Sequence, residues 1–175
     1  MPAPATASGW SRPRHPHHSQ ARASQSRFRQ DAVDAIVQLV DDSIVPELPD
    51  VSVYVEALQK RIVGHRFVRA LVKSPFLLRS AEPPLSATYE KMVVEVRRVG
   101  KRIAVGVEDD LWLVLHLMIA GRLHWNAKAP KLGGRNNLAA FEFDNGWLWL
   151  TEAGTQRRAS LTVVEGEAGL QALSA

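Results

Sequence analysis

A chain of 175 residues, 46% hydrophobic and 23% charged, is long enough for one domain with a real core and too short for two comfortable ones. It has no cysteine, which excludes disulfides and cysteine-held zinc as struts, and no apolar run approaching the roughly 20 residues that a membrane helix needs. The 22 Lys and Arg against 18 Asp and Glu leave a formal charge of +4, a mild bias that permits a polyanionic partner without demanding one.

Residues 1–29 are rich in Pro, Ala, Ser, Arg and His, have little to bury, and read as disordered or as translated non-coding sequence. They lack the apolar stretch of a signal peptide. His15, His17 and His18 have nothing nearby to hold them in a ligating geometry, so no metal site is expected from them. Val33, Ile36, Val37 and Val40 allow a short helix over 31–40 without implying a function. The next helix is better marked: Pro49 suits a first helical position, Val51, Tyr54, Val55, Leu58 and Ile62 share one face, and Gly64 closes it.

Apolar runs bounded by turn residues predict strands over 67–73, 92–99, 101–107, 111–117, 122–125, 138–143, 147–151 and 159–164. Glu108-Asp109-Asp110 and Asn145-Gly146 mark hairpin turns, and Glu82-Pro83-Pro84 marks a proline-rich loop. One helix followed by about eight short strands predicts a mainly β fold, a two-layer β-sandwich with an N-terminal α-helix. Residues 168–173 read as a further helical segment.

The run Val45-Pro46-Glu47-Leu48-Pro49-Asp50-Val51 makes chemical sense as a beginning. Inside a chain, a proline nitrogen is an amide and cannot attack anything. At an N-terminus it is a secondary amine, and an α-amino group titrates near pH 7.7 to 8.0, so its neutral, nucleophilic fraction at neutral pH exceeds a lysine's by roughly two to three powers of ten. Condensed with a sugar aldehyde, such an amine gives an iminium that cannot discharge by losing a proton from nitrogen, and this fixed charge is a sink for elimination. Glu47 would stand beside it as an acid or base. Pro46-Glu47-Leu48-Pro49-Asp50-Val51 resembles the amino-terminal signature of the formamidopyrimidine-DNA glycosylase and endonuclease VIII (Fpg/Nei) family, in which proline becomes the first residue once the initiator methionine is removed.

Three further segments carry the resemblance. Arg97-Arg98-Val99-Gly100-Lys101 is by itself a charged connection between strands; it is similar to the family segment whose lysine contacts DNA and assists elimination, which implies that role for Lys101. Leu115-His116-Leu117-Met118-Ile119-Ala120-Gly121 resembles the family's HLGMSG-type strand and loop, whose methionine fills the gap left by a flipped-out nucleotide. Ile119 aligns with that plug and Met118 with the glycine before it, and either could fill the gap or pack a core. Thr155-Gln156-Arg157-Arg158-Ala159-Ser160 is similar to the family's DxRRFG segment, implying base reading for Arg157 and a phosphate grip for Arg158, but Ala159 replaces the aromatic residue. Lys131 and Arg135, with Lys128, flank Gly133-Gly134 in a basic loop suited to phosphate.

The resemblance implies a base-excision DNA glycosylase with abasic-site lyase activity on oxidised bases, with Pro46, Glu47 and Lys101 as its catalytic residues and Met118, Ile119, Lys131, Arg135, Arg157 and Arg158 as its DNA contacts. It divides the chain into an N-terminal extension, disordered or wrongly assigned, over 1–45, a catalytic domain over 46–166, and the start of a linker and helical part over 167–175. No cofactor or metal is expected in this chain, because the family's zinc finger lies in a C-terminal part outside it; such a piece is expected to be weak or inactive alone. The implied partner is damaged DNA, with no membrane, and the implied setting is a monomer in a bacterial cytoplasm beside the nucleoid. The alternatives from another class are a non-catalytic DNA-binding β-module and a structural fragment. Mass spectrometry of the protein from its natural host is expected to find Pro46 as the first residue, whereas a chain beginning at Met1 removes the nucleophile.

Overall fold

The protein was analysed as a computed structural model that describes residues 48–174. Pro46 and Glu47, the three histidines of 15–18 and the helix expected over 31–40 lie outside the described residues.

Helix α1 (Leu48–Ile62) follows the expected face: Val51, Tyr54, Val55, Leu58 and Ile62 are all buried, and Lys60 and Arg61 in its last turn complement the negative end of the helix dipole. It ends at Gly64, whose φ of +82° is a left-handed conformation that favours glycine. The Gly64 N–H donates to the Val93 carbonyl at 2.9 Å, and Gln59 Nε2 donates to the Val96 carbonyl at 2.8 Å. These two bonds lay α1 antiparallel to the strand that contains Val93 and Val96.

Eight strands follow: β1 (Arg66–Val72), β2 (Lys91–Val99), β3 (Arg102–Val107), β4 (Leu111–His116), β5 (Gly121–Asn126), β6 (Asn137–Phe143), β7 (Gly146–Glu152) and β8 (Ser160–Glu165). They form one antiparallel sheet in the order β5-β7-β6-β1-β2-β3-β4-β8. β1 and β2 meet over just two residue pairs, Arg66 with Met92 and Phe67 with Lys91, and the sheet creases there. Its halves, β5-β7-β6-β1 and β2-β3-β4-β8, are the two layers of the expected sandwich. Leu123, Phe141 and Leu148 from one half and Val96, Ile103 and Leu113 from the other share a single core with α1. The layers are thus continuous rather than two separate sheets, because the ladder persists across the crease.

β5 and β7 alternate buried and half-buried residues, as strands with one covered face should, whereas β3 and β4 are almost continuously buried. The second cover is α2 (Gly166–Gln171), whose Leu170 packs with Val99, Ala104, Trp112 and Val114 on the outer face. This helix begins two residues earlier than its apolar spacing predicts, because Gly166, with φ +75°, turns the chain directly out of β8. The connection between β1 and β2 also holds a short 3-10 helix, Leu85–Thr88, which the proline-rich sequence did not announce; buried Thr88 Oγ1 donates to the Leu85 carbonyl at 2.6 Å.

Phe67 sits at the crease, 1% exposed, with its ring 5.3 Å from that of Phe143 and edge-on to Tyr89 at 5.9 Å. Replacing it by alanine empties the joint between the two layers. Phe67→Ala is expected to cost about 3–5 kcal/mol in denaturant unfolding, and a loss below about 1 kcal/mol would contradict this placement.

Candidate nucleic-acid interface

Register brings the ends of seven strands together. His116 lies opposite Ser160, and Val99 opposite Arg102 across the two-residue turn Gly100-Lys101. In the other half Gly121 lies opposite Glu152, and Asn137 opposite Thr151. Residues 117–120 join His116 to Gly121, and residues 153–159 join Glu152 to Ser160, so both connections cross between the layers at the same end of the sandwich. The antiparallel docking of α1 on β2 directs its first turn toward this end as well.

The end is cationic. Lys73, Lys101, Arg102, Arg135, Arg157 and Arg158 belong to its strand ends and connections, and their visible bonds position charge without cancelling it. Lys73 Nζ donates to the Gly134 carbonyl at 2.7 Å, Arg102 to that of Leu173, and Arg157 to that of Arg135. At the opposite end Arg66 meets Glu90 at 3.2 Å and Lys91 meets Asp109, while His65 Nδ1 lies 2.7 Å from Asp144 Oδ1. Burial first, and then the charges of Arg102 and Lys101, hold the His116 pKa below the usual imidazole value.

Of the residues marked in the sequence, those within the described part each have a definite setting here. Lys101 is exposed at the second position of its turn, after Gly100 with φ +60°, and a Cβ on Gly100 would stand 3.0 Å from the Ser174 carbonyl oxygen. Met118 and Ile119, either of which could fill the gap by residue type, differ in the structure. Met118 is half-buried at φ +56°, a conformation that costs a non-glycine residue about 1–2 kcal/mol, while Ile119 is 61% exposed. The turn beneath them is closed by the Gly121 N–H to the Leu117 carbonyl at 2.9 Å, and Arg122 Nη1 donates to the Ile119 carbonyl at 3.0 Å. A Cβ on Gly121 would lie 2.3 Å from the Leu117 oxygen, so only glycine fits.

Arg157 and Arg158 are exposed, and Ala159 beside them is buried. Their loop hangs on a residue that sequence reasoning passed over. Glu152 is 1% exposed, and its carboxylate accepts the N–H of Arg158 at 2.9 Å and of Ala159 at 3.2 Å. A signal for it existed: Leu148, Leu150 and Glu152 share the inward parity of β7, and a carboxylate at an inward position implies buried donors. Arg135 joins Arg157 through its carbonyl, whereas the exposed Lys131 lends its own carbonyl to Asn137 Nδ2 at 3.2 Å. Lys73, Arg135, Asn137 and Arg157 line an open depression of about 530 Å3. Among the described residues, no group of His, Asp and Glu could hold a metal ion, and no helix is long and apolar enough to cross a membrane.

A family model described as the Formamidopyrimidine-DNA glycosylase N-terminal domain matches residues 45–158. The chain is 35% identical over 81 residues to the formamidopyrimidine-DNA glycosylase of Corynebacterium jeikeium, covering 45% of this chain and 28% of that protein. It is 32% identical over 113 residues to the one from Variovorax paradoxus, covering 65% of this chain and 38% of that one. Against a Lactococcus lactis formamidopyrimidine-DNA glycosylase bound to abasic-site DNA the TM-score is 0.60 at 22% identity, over 68% of this chain and 45% of that one. Against MutM in complex with DNA containing carbocyclic 8-oxo-G it is 0.61 at 23% identity, over 69% and 44%. The structural likenesses establish the fold, and the chain spans well under half the length of these curated relatives.

Glu152→Ala strands two amide donors in the interior, each worth about 1–3 kcal/mol when left without an acceptor. Hydrogen exchange at the Arg158 and Ala159 amides is expected to accelerate together with a fall in stability, and Glu152→Gln, which keeps an acceptor oxygen, to lose less. Unchanged exchange in the alanine variant would refute the role given to this carboxylate.

Proposed function

Because the chain belongs to the formamidopyrimidine-DNA glycosylase N-terminal domain family, we propose that it carries the catalytic part of a DNA glycosylase that removes oxidised bases and cleaves the resulting abasic site. The observation that carries this reading is the convergence, at the end toward which α1 begins, of the Lys101 turn with the two connections bearing Ile119 and Arg157. Pro46 and Glu47 directly precede α1 in the sequence.

In this proposal residue 46 is the N-terminus, and its secondary amine attacks the deoxyribose C1′. The glycosidic bond breaks and its electrons leave with the base. Glu47 relays protons at the ring oxygen or the ring-opened sugar, and the iminium then drains electrons from the neighbouring C–H bond as the phosphate departs by β-elimination. Lys101 holds phosphate and assists that elimination. Ile119, the exposed member of its pair, fills the gap left by the flipped nucleotide and offsets part of the few kcal/mol that unstacking costs. Arg157 contacts the base opposite, and Arg158, Arg135 and Lys131 take phosphates. The chain spans 28% and 38% of the length of two curated relatives, and by itself it is expected to bind DNA weakly and react slowly.

Borohydride trapping on abasic-site DNA tests the mechanism. A chain beginning at Pro46 is expected to give a covalent adduct, the same chain with Val45 retained in front of it none, and Lys101→Ala an elimination rate lower by about 10²-fold. Salt-dependent DNA binding without any adduct would leave the non-catalytic binding module as the correct reading.

A further inference from the structure

The depression beside Arg157 has a feature that phosphate binding does not use. Phe76 stands on its rim, 74% exposed, the most exposed large hydrophobic side chain among the described residues. Its exposure does not come from a loose loop. Ser74-Pro75-Phe76-Leu77 is a tight turn closed by the Leu77 N–H on the Ser74 carbonyl at 3.2 Å. The turn is tied down on both sides: the N–H groups of Lys73 and Ser74 donate to the Leu138 carbonyl at 2.8 and 3.1 Å, and Leu77 is 1% exposed. Leu77 and Arg79 then bond Leu161 of β8 through their backbones at 2.8 and 2.9 Å. The ring is therefore held out toward solvent by a rigid backbone, with Lys73, Arg135 and Arg157 around the same hollow and no carboxylate lining it.

An aromatic face fixed among cations matches one chemistry well: a base to stack on the ring and phosphates on either side to meet the charges. Within a duplex both faces of every base are already covered, so only a base out of the stack can use such a platform. We propose that Phe76 stacks on an unpaired nucleobase whose flanking phosphates lie against Lys73 and Arg135, which makes this end of the protein selective for DNA with unpaired bases. The inference rests on the nucleic-acid reading of this end and adds a strand preference to it.

Fluorescence anisotropy of the full chain with two labelled DNA duplexes, one fully paired and one with a central unpaired bubble, tests it. The unmodified protein is expected to bind the bubble more tightly. Phe76→Ala is expected to weaken bubble binding about tenfold while shifting the paired duplex by no more than about twofold, and Phe76→Tyr to retain the preference. The salt dependence is expected to be unchanged in Phe76→Ala and shallower by about one ion in Arg135→Ala. Because the ring touches little of the core, loss of fold does not confuse the result. If Phe76→Ala binds both DNAs as the unmodified protein does, or weakens both equally, stacking is overturned and the phosphate contacts stand. If the unmodified protein binds neither DNA at low salt, the nucleic-acid reading of this end is overturned with it.

Discussion

Two residue pairs between β1 and β2 determine how the rest of this domain is arranged. A sheet of eight antiparallel strands that stayed open would leave one face without cover, and the short junction lets it crease and bury that face against itself. Phe67 fills the joint on the inside. Once the halves face each other, the chain has to pass between them elsewhere, and it does so twice at one end, through residues 117–120 and 153–159. The same constraint that closes the core also sets those two connections side by side.

What the connections carry follows from their chemistry. At the crease end Arg66 and Lys91 are each matched by a carboxylate, which makes these pairs electrostatically quiet beyond a Debye length of about 8 Å. At the crossing end Lys73, Arg102 and Arg157 bond carbonyl oxygens, which orient a cation without neutralising it. Among the described residues the buried carboxylate there, Glu152, spends its oxygens on backbone amides and so shapes the arginine loop.

The fold was largely legible in the sequence, because period and punctuation agreed. All eight strands and α1 lie within one or two residues of where apolar runs and turn residues put them. What escaped was long-range: nothing local to β1 or β2 says that their ladder continues through the crease, and the 3-10 turn at Leu85–Thr88 has no period long enough to show. The candidate site was legible in its residues but less so in their settings. Met118 and Ile119 could not be told apart by type; a backbone angle separates them, and the glycine that would have advertised that angle is absent. Glu152 and Phe76 were missed for opposite reasons, one a charge inside and the other an aromatic ring outside, each contrary to the usual distribution. Pro46 and Glu47 were read from the chemistry of a free proline nitrogen, and they lie outside the described residues.

The turn at Met118 separates form from identity. Its path is dictated from below, by the Leu117–Gly121 bond, the lack of room for any side chain at Gly121, and the arginine that ties its carbonyls, so it holds even with a methionine where the backbone would prefer none. A mount that does not depend on what it carries leaves its tip free to vary. Related chains can exchange the residue at the apex, and with it what the apex fits, while the scaffold underneath stays as it is.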